Sequence, residues 1–299
     1  MLVRFQDIEV GQVGGPRNVV IENFEPSYPE IRSSDAARES RDGVLPGRDY
    51  FGARTLGFDL VSNRHTMAAA RESIAEFLTA WRDTKVRLVA GAMVPLEYRA
   101  VDDPRWRRVI GRPRRADEPT FDFQMRQGVG RFTVEFEVLQ PQVYAGGEEG
   151  LNRVRFNQVA DFTPGGWRWP RDPGWPVLGQ TVTGTREGSI TVTGTETTPA
   201  IVTFHGPGRR FSLDGNRGWH VGLDPEVTLA ADEAITIDPL AGTVTDNFGR
   251  SRFGALDRRS GLYDVQLQPG SENVFFSADD VTLEAHAVLS WRSAYSTMV

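Results

Sequence analysis

From Thr198 to Arg292 the chain is written in short apolar/polar alternations. Turn residues interrupt them at roughly 8–12-residue spacing, a cadence that restricts the segment to a β-sandwich. Ile201-Val202-Thr203-Phe204-His205 stops at Gly206-Pro207-Gly208, and Ala234-Ile235-Thr236-Ile237-Asp238 turns at Pro239-Leu240-Ala241-Gly242 into Thr243-Val244-Thr245. Asp264-Val265-Gln266-Leu267 breaks at Pro269-Gly270 before Asn273-Val274-Phe275-Phe276, and a last strand is expected from Leu283 to Trp291. A period of two sends one row of side chains into a core and the next into water. The run builds a module with no recognisable set of reactive groups, which points to a part that is assembled rather than one that turns over substrate.

A chain of 299 residues has room for two domains, each with its own core. No stretch nears the ~18 apolar residues of a membrane-spanning helix. Met1-Leu2-Val3-Arg4-Phe5-Gln6-Asp7 lacks a basic region followed by an apolar core, so no secretory signal is read and folding is expected in the cytoplasm. The absence of cysteine excludes disulfides, thiolate metal sites and cysteine nucleophiles. His65, His205, His220 and His286 lie far apart and form no close-spaced ligand pair. Neither a metal nor another cofactor is expected. Residues 1–140 carry 21 basic and 21 acidic groups and residues 141–299 carry 13 and 19, so the net charge of −6 lies wholly in the second part. An acidic surface there disfavours nucleic acid, whose phosphates need a cationic footprint.

The first half is expected to be mainly β with one clear helix. Met67, Ala70, Ile74, Phe77, Leu78 and Trp81 recur at helical spacing between Thr66 and Arg82, with Thr66 placed to cap the first-turn amides. Strands are expected at Val19–Ile21, Leu56–Val61, Val86–Val89, Leu96–Val101, Thr120–Met125 and Arg131–Leu139. The last is the clearest, because Phe132 to Val138 alternates strictly. Glu25 to Arg48 is polar and charged and reads as a long exposed loop or flexible arm. Gly146-Gly147-Glu148-Glu149-Gly150 marks the boundary between a domain at 1–145 and a second at 146–299. Residues 162–177 are rich in Pro, Gly and Trp and read as irregular, because each proline removes a backbone donor.

Three features invite chemistry. Trp167, Trp169 and Trp175 could form a platform for stacking sugars, or could clamp their own segment onto the domain. Arg105, Arg107, Arg108, Arg112, Arg114 and Arg115 crowd eleven positions beside Trp106. They suit a solvated hairpin with local ion pairs, an arginine-rich subunit contact, or phosphate binding. Asp214, Asp224, Asp238 and Asp246 stand where turns favour aspartate, although a glycosidase needs only two carboxylates about 5–10 Å apart. No Gly-x-Ser-x-Gly elbow, phosphate-binding Gly-Lys-Ser/Thr loop or His-Glu-x-x-His motif occurs.

Taken in order, several stretches resemble the distal tail proteins of long, flexible-tailed bacteriophages, also known as minor or siphovirus-type tail components. In the first half these are Gly52-Ala53-Arg54-Thr55-Leu56-Gly57-Phe58 ahead of the helix and the sheet ending at Phe132 to Val138. In the second they are Thr197 to Gly206, the Glu233–Asp238 hairpin with Gly242-Thr243-Val244, the Leu267-Gln268-Pro269-Gly270-Ser271-Glu272-Asn273 turn, and Leu289 to Tyr295. The resemblance implies an N-terminal β-sandwich-type belt domain with one helix and a C-terminal galectin-like β-sandwich. It implies a structural protein of the virion tail tip, made in the host cytoplasm, whose hexameric ring joins the tail tube protein to a tip or tail-associated protein, with the tape measure protein as a further neighbour. Arg71, Trp81, Trp106 and Arg108 are candidate subunit contacts, on the ground that Trp and Arg enrich interfaces. Two other functions stay open on the residues alone: a carbohydrate-binding adhesion module using Trp167, Trp169 and Trp175, and a glycoside hydrolase on a sandwich scaffold.

Overall fold

The computed structural model describes residues 1–11, 19–157, 162–171, 175–182, 186–281 and 284–298, the description of 162–171 and 175–182 being confined to the backbone. The fold is mainly β and antiparallel. The chain divides into two compact units, Met1–Gly150 with Tyr295–Val299, and Leu151–Ala294.

The first unit contains β1 (Leu2–Phe5), β2 (Ile8–Val10), β3 (Val19–Pro26), then the short strands β4 (Ile31–Ser33), β5 (Ala36–Ala37), β6 (Val44–Leu45) and β7 (Asp49–Phe51), and β8 (Arg54–Asn63). Helix α1 (Met67–Trp81) and the single turn α2 (Thr84–Arg87) follow, then β9 (Val94–Arg99), β10 (Arg107–Ala116), α3 (Phe123–Arg126), β11 (Val129–Val138) and β12 (Val143–Ala145). The main sheet runs β2-β1-β9-β10-β11-β8-β3, with β12 beside β10. The Gly11 amide donates to the Val19 carbonyl at 2.8 Å, which ties the two outer strands together and curls the sheet on itself. Strict alternation in β11 buries Phe132, Val134, Phe136 and Val138. Across the ladder they face Leu60, Phe58, Leu56 and Arg54 of β8.

Helix α1 covers this inner face. Thr66 Oγ1 accepts from the Ala69 amide at 3.2 Å, the cap that the sequence predicts. The helix buries Ala70, Ser73, Ile74, Phe77, Leu78 and Trp81. The Trp81 ring lies 4.8 Å from Phe5 and 6.0 Å from Phe136, and Phe77 meets Phe132 at 5.6 Å. Two expected strands are single helical turns instead. Asp83 and Asp122 accept from the amides of Lys85 and Met125 and so start a turn in each segment, which leaves Leu88, Val89, Phe121 and Phe123 exposed.

The sequence division gives 146–299 to the second domain, whereas Tyr295–Val299 group with the first unit. The Tyr98 hydroxyl donates to the Met298 carbonyl at 3.1 Å, and the Arg107 guanidinium lies 4.4 Å from the Tyr295 ring centroid. Burial pushes the Tyr98 phenol well above its ordinary pKa against the opposing pull of Arg54 and Arg107, so it stays a donor.

The second unit comprises β13 (Leu151–Asn157), β14 (Phe162–Arg171), β15 (Trp175–Val182), β16 (Glu187–Val192), β17 (Thr198–His205), β18 (Gly208–Gly215), β19 (His220–Gly222), β20 (Thr228–Leu229), β21 (Ala234–Asp238), β22 (Thr243–Asp246), β23 (Gln266–Leu267), β24 (Gly270–Asp279) and β25 (His286–Arg292). One sheet runs β13-β25-β17-β21-β22 with β23 on β17; the other runs β16-β24-β18-β19 with β20 on β18. Phe156, Val202, Phe204, Ile235 and Leu289 from the first share one core with Ile190, Phe211, Leu213, Val274 and Phe276 from the second. This is the sandwich that the alternation predicts. The segment 162–177, expected to be irregular, pairs as a two-stranded ribbon of β14 and β15 with a register shift between Pro164 and Arg168. Both strands of such a ribbon are edges, so proline is tolerated where an N–H would point away from the partner.

Candidate functional site

The first unit carries a projecting arm. Between β3 and β8 the chain runs out and back as two short ladders. Ile31, Arg32 and Ser33 face Phe51, Tyr50 and Asp49, while Ala36 and Ala37 face Leu45 and Val44. The region expected as an exposed loop or flexible arm is thus an arm with a paired backbone. Its hydrogen bonds run between its own strands: the Ser34 amide donates to the Arg48 carbonyl, the Arg48 amide to Ser34 Oγ, and the Gly47 amide to Asp35 Oδ1. Every residue from Glu30 to Phe51 is exposed, including Ile31, Val44, Leu45, Tyr50 and Phe51.

A groove of about 280 Å³ runs along one flank of α1, between the helix and the segment leading into α3. It is lined by the buried Ile74, Leu78 and Met125, which belong to the core, and by the exposed Phe121, with Arg71 and Arg82 among its charged residues. Phe121 and the neighbouring Phe123 are exposed. Arg71, a candidate contact, lies with its guanidinium 5.2 Å from the Phe121 centroid. Arg82 pairs with Glu118 at 3.1 Å.

The other candidates separate. Trp81 is only 2% exposed and its Nε1 donates to the Arg115 carbonyl, so it belongs to the core and offers no surface to a partner. Trp106 is half-buried between two guanidinium groups, Arg4 at 4.3 Å and Arg99 at 4.9 Å. Arg108 is held by the buried Glu97, at 2.8 Å from Nη2 and 2.9 Å from Nε. Glu97 also accepts from the Gly147 amide and pairs with Arg4, so Arg4, Trp106, Arg108 and Glu97 form one polar cluster. The candidate glycan contacts Trp167, Trp169 and Trp175 have side chains outside the described residues.

The arginine-rich stretch is locally compensated. Arg105 pairs with Asp103 at 2.9 Å, Arg114 with Glu137 at 2.5 Å, and Arg115 with Asp117 at 2.7 Å and Glu135 at 3.6 Å. Arg112 donates to the carbonyls of Ala92 and Val89. The hydrogen bonds from Arg105 hold the half-buried Asp103 carboxyl down at about 2. The local ion pairs are as expected, but Arg107 to Ala116 form a strand, β10, between β9 and β11 rather than a solvated hairpin, and Arg107 is buried.

In the second unit the turn aspartates hold turns. Asp238 accepts from the amides of Leu240 and Ala241, Asp246 from those of Phe248 and Arg250, and Asp224 from that of Glu226. Asp214 is the exception: it meets His220 Nδ1 at 2.6 Å while Asp257 meets Nε2 at 3.1 Å. Burial pushes the Asp257 carboxyl up, but hydrogen bonds from His220 and Arg259 bring it below its ordinary pKa. Sequence reasoning missed this cluster because its members are spread from Asp214 to Asp257, with no motif linking them. Among the described residues no group of three or more His, Asp or Glu side chains is placed to hold a metal ion.

No family model and no curated protein matches the sequence. Solved structures do match the fold. The SPP1 Dit protein, described as a paradigm of the hub adsorption apparatus in phages infecting Gram-positive bacteria, has a TM-score of 0.51 at 13% identity, covering 92% of this chain and 93% of its own. A chain of the phage P2 baseplate in its activated conformation with Ca has a TM-score of 0.54 at 11% identity, over 97% and 96% of the two chains. The same baseplate with Sr has 0.53 at 13%, over 97% and 96%. The chain therefore shares its fold with these phage hub and baseplate chains over 92–97% of its length.

Proposed function

We propose that this chain is a structural hub of a phage tail tip, with no catalytic activity. Its copies close into a ring, six-membered by analogy with the resembled family, that joins the tail tube protein to a tip or tail-associated protein and neighbours the tape measure protein. The observation that carries this reading is the match of both units, over nearly the whole chain, to hub and baseplate chains. The surface of the first unit agrees with it. A closed ring needs head-to-tail contacts between two different patches on each copy. The first unit offers an arm exposed along its length and, elsewhere, the exposed Phe121 and Phe123 beside Arg71. The acidic balance of residues 141–299 would keep neighbouring copies mutually soluble.

Negative-stain imaging with light scattering, with and without the tail tube protein, tests the assignment. A six-fold ring with a central hole is expected. A monomer under both conditions, at every concentration reached, would overturn it.

A further inference from the structure

Two arginines on the inner face of the first unit's sheet have no carboxylate beside them among the described residues. Arg54 stands in the buried row of β8 that continues through Leu56, Phe58 and Leu60, and Arg107 is the register partner of Tyr98 across β10 and β9. Phe24 packs on Phe58 at 5.1 Å and on Tyr98 at 6.2 Å, so the two rows face one interior. The arginines are 6% and 8% exposed. Arg54 Nε and Nη2 have no hydrogen-bond partner among the described residues. Arg107 meets the Tyr295 ring, a contact that steadies a cation without neutralising it. Both guanidinium charges reach the phenol of Tyr98.

Three ways out of this imbalance are closed. Burial presses the Arg54 pKa downward, yet a guanidinium keeps its proton in a protein. Tyr98 does not answer as a phenolate, because burial pushes its pKa well above the ordinary value and its hydroxyl donates to the Met298 carbonyl. The carboxylates on neighbouring strands are engaged elsewhere: Glu97 by Arg4, Arg108 and the Gly147 amide, and Glu137 by Arg114. A buried charge with no partner is strongly unfavourable.

We propose that Arg54 and Arg107 hold one small oxyanion of the phosphate type inside the first unit. A guanidinium fork matches two oxygens of such an ion, and two forks match its two negative charges. The slight exposure of the pair admits a free ion, whereas a peptide strand or a polymer needs an open groove. The ion would link β8 to β10, strands that β11 separates in the sheet, beside the residues Tyr295 and Met298 that already pack there. The site belongs to one copy of the chain and does not depend on assembly.

Calorimetry of the full chain, freed of phosphate and sulfate by dialysis, tests the site. Each unit has its own core, so the second serves as an internal control. Inorganic phosphate added at constant ionic strength should raise the first unit's transition by several degrees, as binding to the folded state alone does, and leave that of Leu151–Ala294 nearly unmoved. Phosphate also strengthens apolar burial in general, so equal rises in both transitions would overturn the proposal. Arg54→Met replaces the charge with an apolar chain of similar length. It should melt no lower than the unaltered protein in phosphate-free buffer, because it removes a lone buried charge, and it should lose the phosphate response. A lower transition that still responds to phosphate would overturn the assignment. Equilibrium dialysis of the unaltered chain with labelled phosphate should find one ion per chain, displaced by sulfate, and no binding at millimolar phosphate would overturn it as well. A chain lengthened by Gly-Ser after Val299 should behave like the unaltered one. A phosphate response confined to the lengthened chain would give the site to the chain's own carboxylate and overturn the free ion.

Discussion

Trp219 and Glu272 show how much one buried pair can carry. Glu272 is 1% exposed in the sandwich, and Trp219 Nε1 donates to its Oε1 at 2.7 Å while Oε2 has no hydrogen-bond partner among the described residues. Trp219→Phe removes that donor and leaves a buried carboxylate, at an expected cost of about 1–3 kcal/mol in denaturant unfolding. Glu272→Gln, which still offers an oxygen to the indole, should cost clearly less. His205 and His286 argue for a pH effect. Their rings stack in parallel at 4.3 Å on neighbouring strands. Burial holds both imidazoles below their ordinary pKa of 6.5, aided by Arg155 and, for His205, by His286, although the Glu284 carbonyl pulls His286 back up. The folded pair thus binds protons less readily than the unfolded chain, so its stabilising contribution is present above about pH 6.5 and is lost as pH falls below it. Melting of the second unit between pH 7.5 and 5.5 should fall with acidity, and His286→Gln should flatten that slope. At this scale the sequence was uneven. Periodicity already placed Trp81 beside Phe77 and Leu78 on the buried stripe, which outweighs the general enrichment of tryptophan at interfaces. The setting of Trp106 was invisible, because Arg4, which packs on it from β1, lies far from it in the sequence.

Elements were legible where one face is buried and the other wet. Helix α1 announced itself through its stripe and through Thr66, and its observed bounds lie one residue inside the expected ones at each end. Thr66→Ala should cost about 1 kcal/mol, measurable in the first unit's thermal transition, because the Ala69 amide loses its only side-chain acceptor among the described residues. The β21–β22 hairpin was equally plain, with Asp238 Oδ1 fixing the turn and Gly242 adopting a φ of +70°. What failed to show were elements without such a contrast. The arm is exposed on both faces, so no alternation marks its strands, and its pairing depends on cross-strand bonds such as Asp35 to Gly47, twelve residues apart. The prolines of β14 and β15 hid a ribbon for the complementary reason. A strand with two edges tolerates residues that a central strand rejects.

Over the whole molecule, the sequence located the sandwich and its companion, but gave no sign that the last residues belong with the first unit. Tyr295 and Met298 act there by a stacked guanidinium and one backbone carbonyl, neither of which has a sequence periodicity. Each unit has its own core, and the two clusters of buried side chains share no residue. Calorimetry should therefore resolve two transitions. Ending the chain after Ala294 gives them different fates. The buried Tyr98 hydroxyl loses its acceptor, and Arg107, 8% exposed, loses the ring on which it lies. A lost partner for a buried donor and a lost cation–π contact together cost about 2–4 kcal/mol. The transition of the first unit should accordingly move down by several degrees while that of Leu151–Ala294 stays in place. Equal shifts in both would mean that the tail stabilises the molecule as one body, and no shift in the first would mean that Tyr98 and Arg107 find other partners.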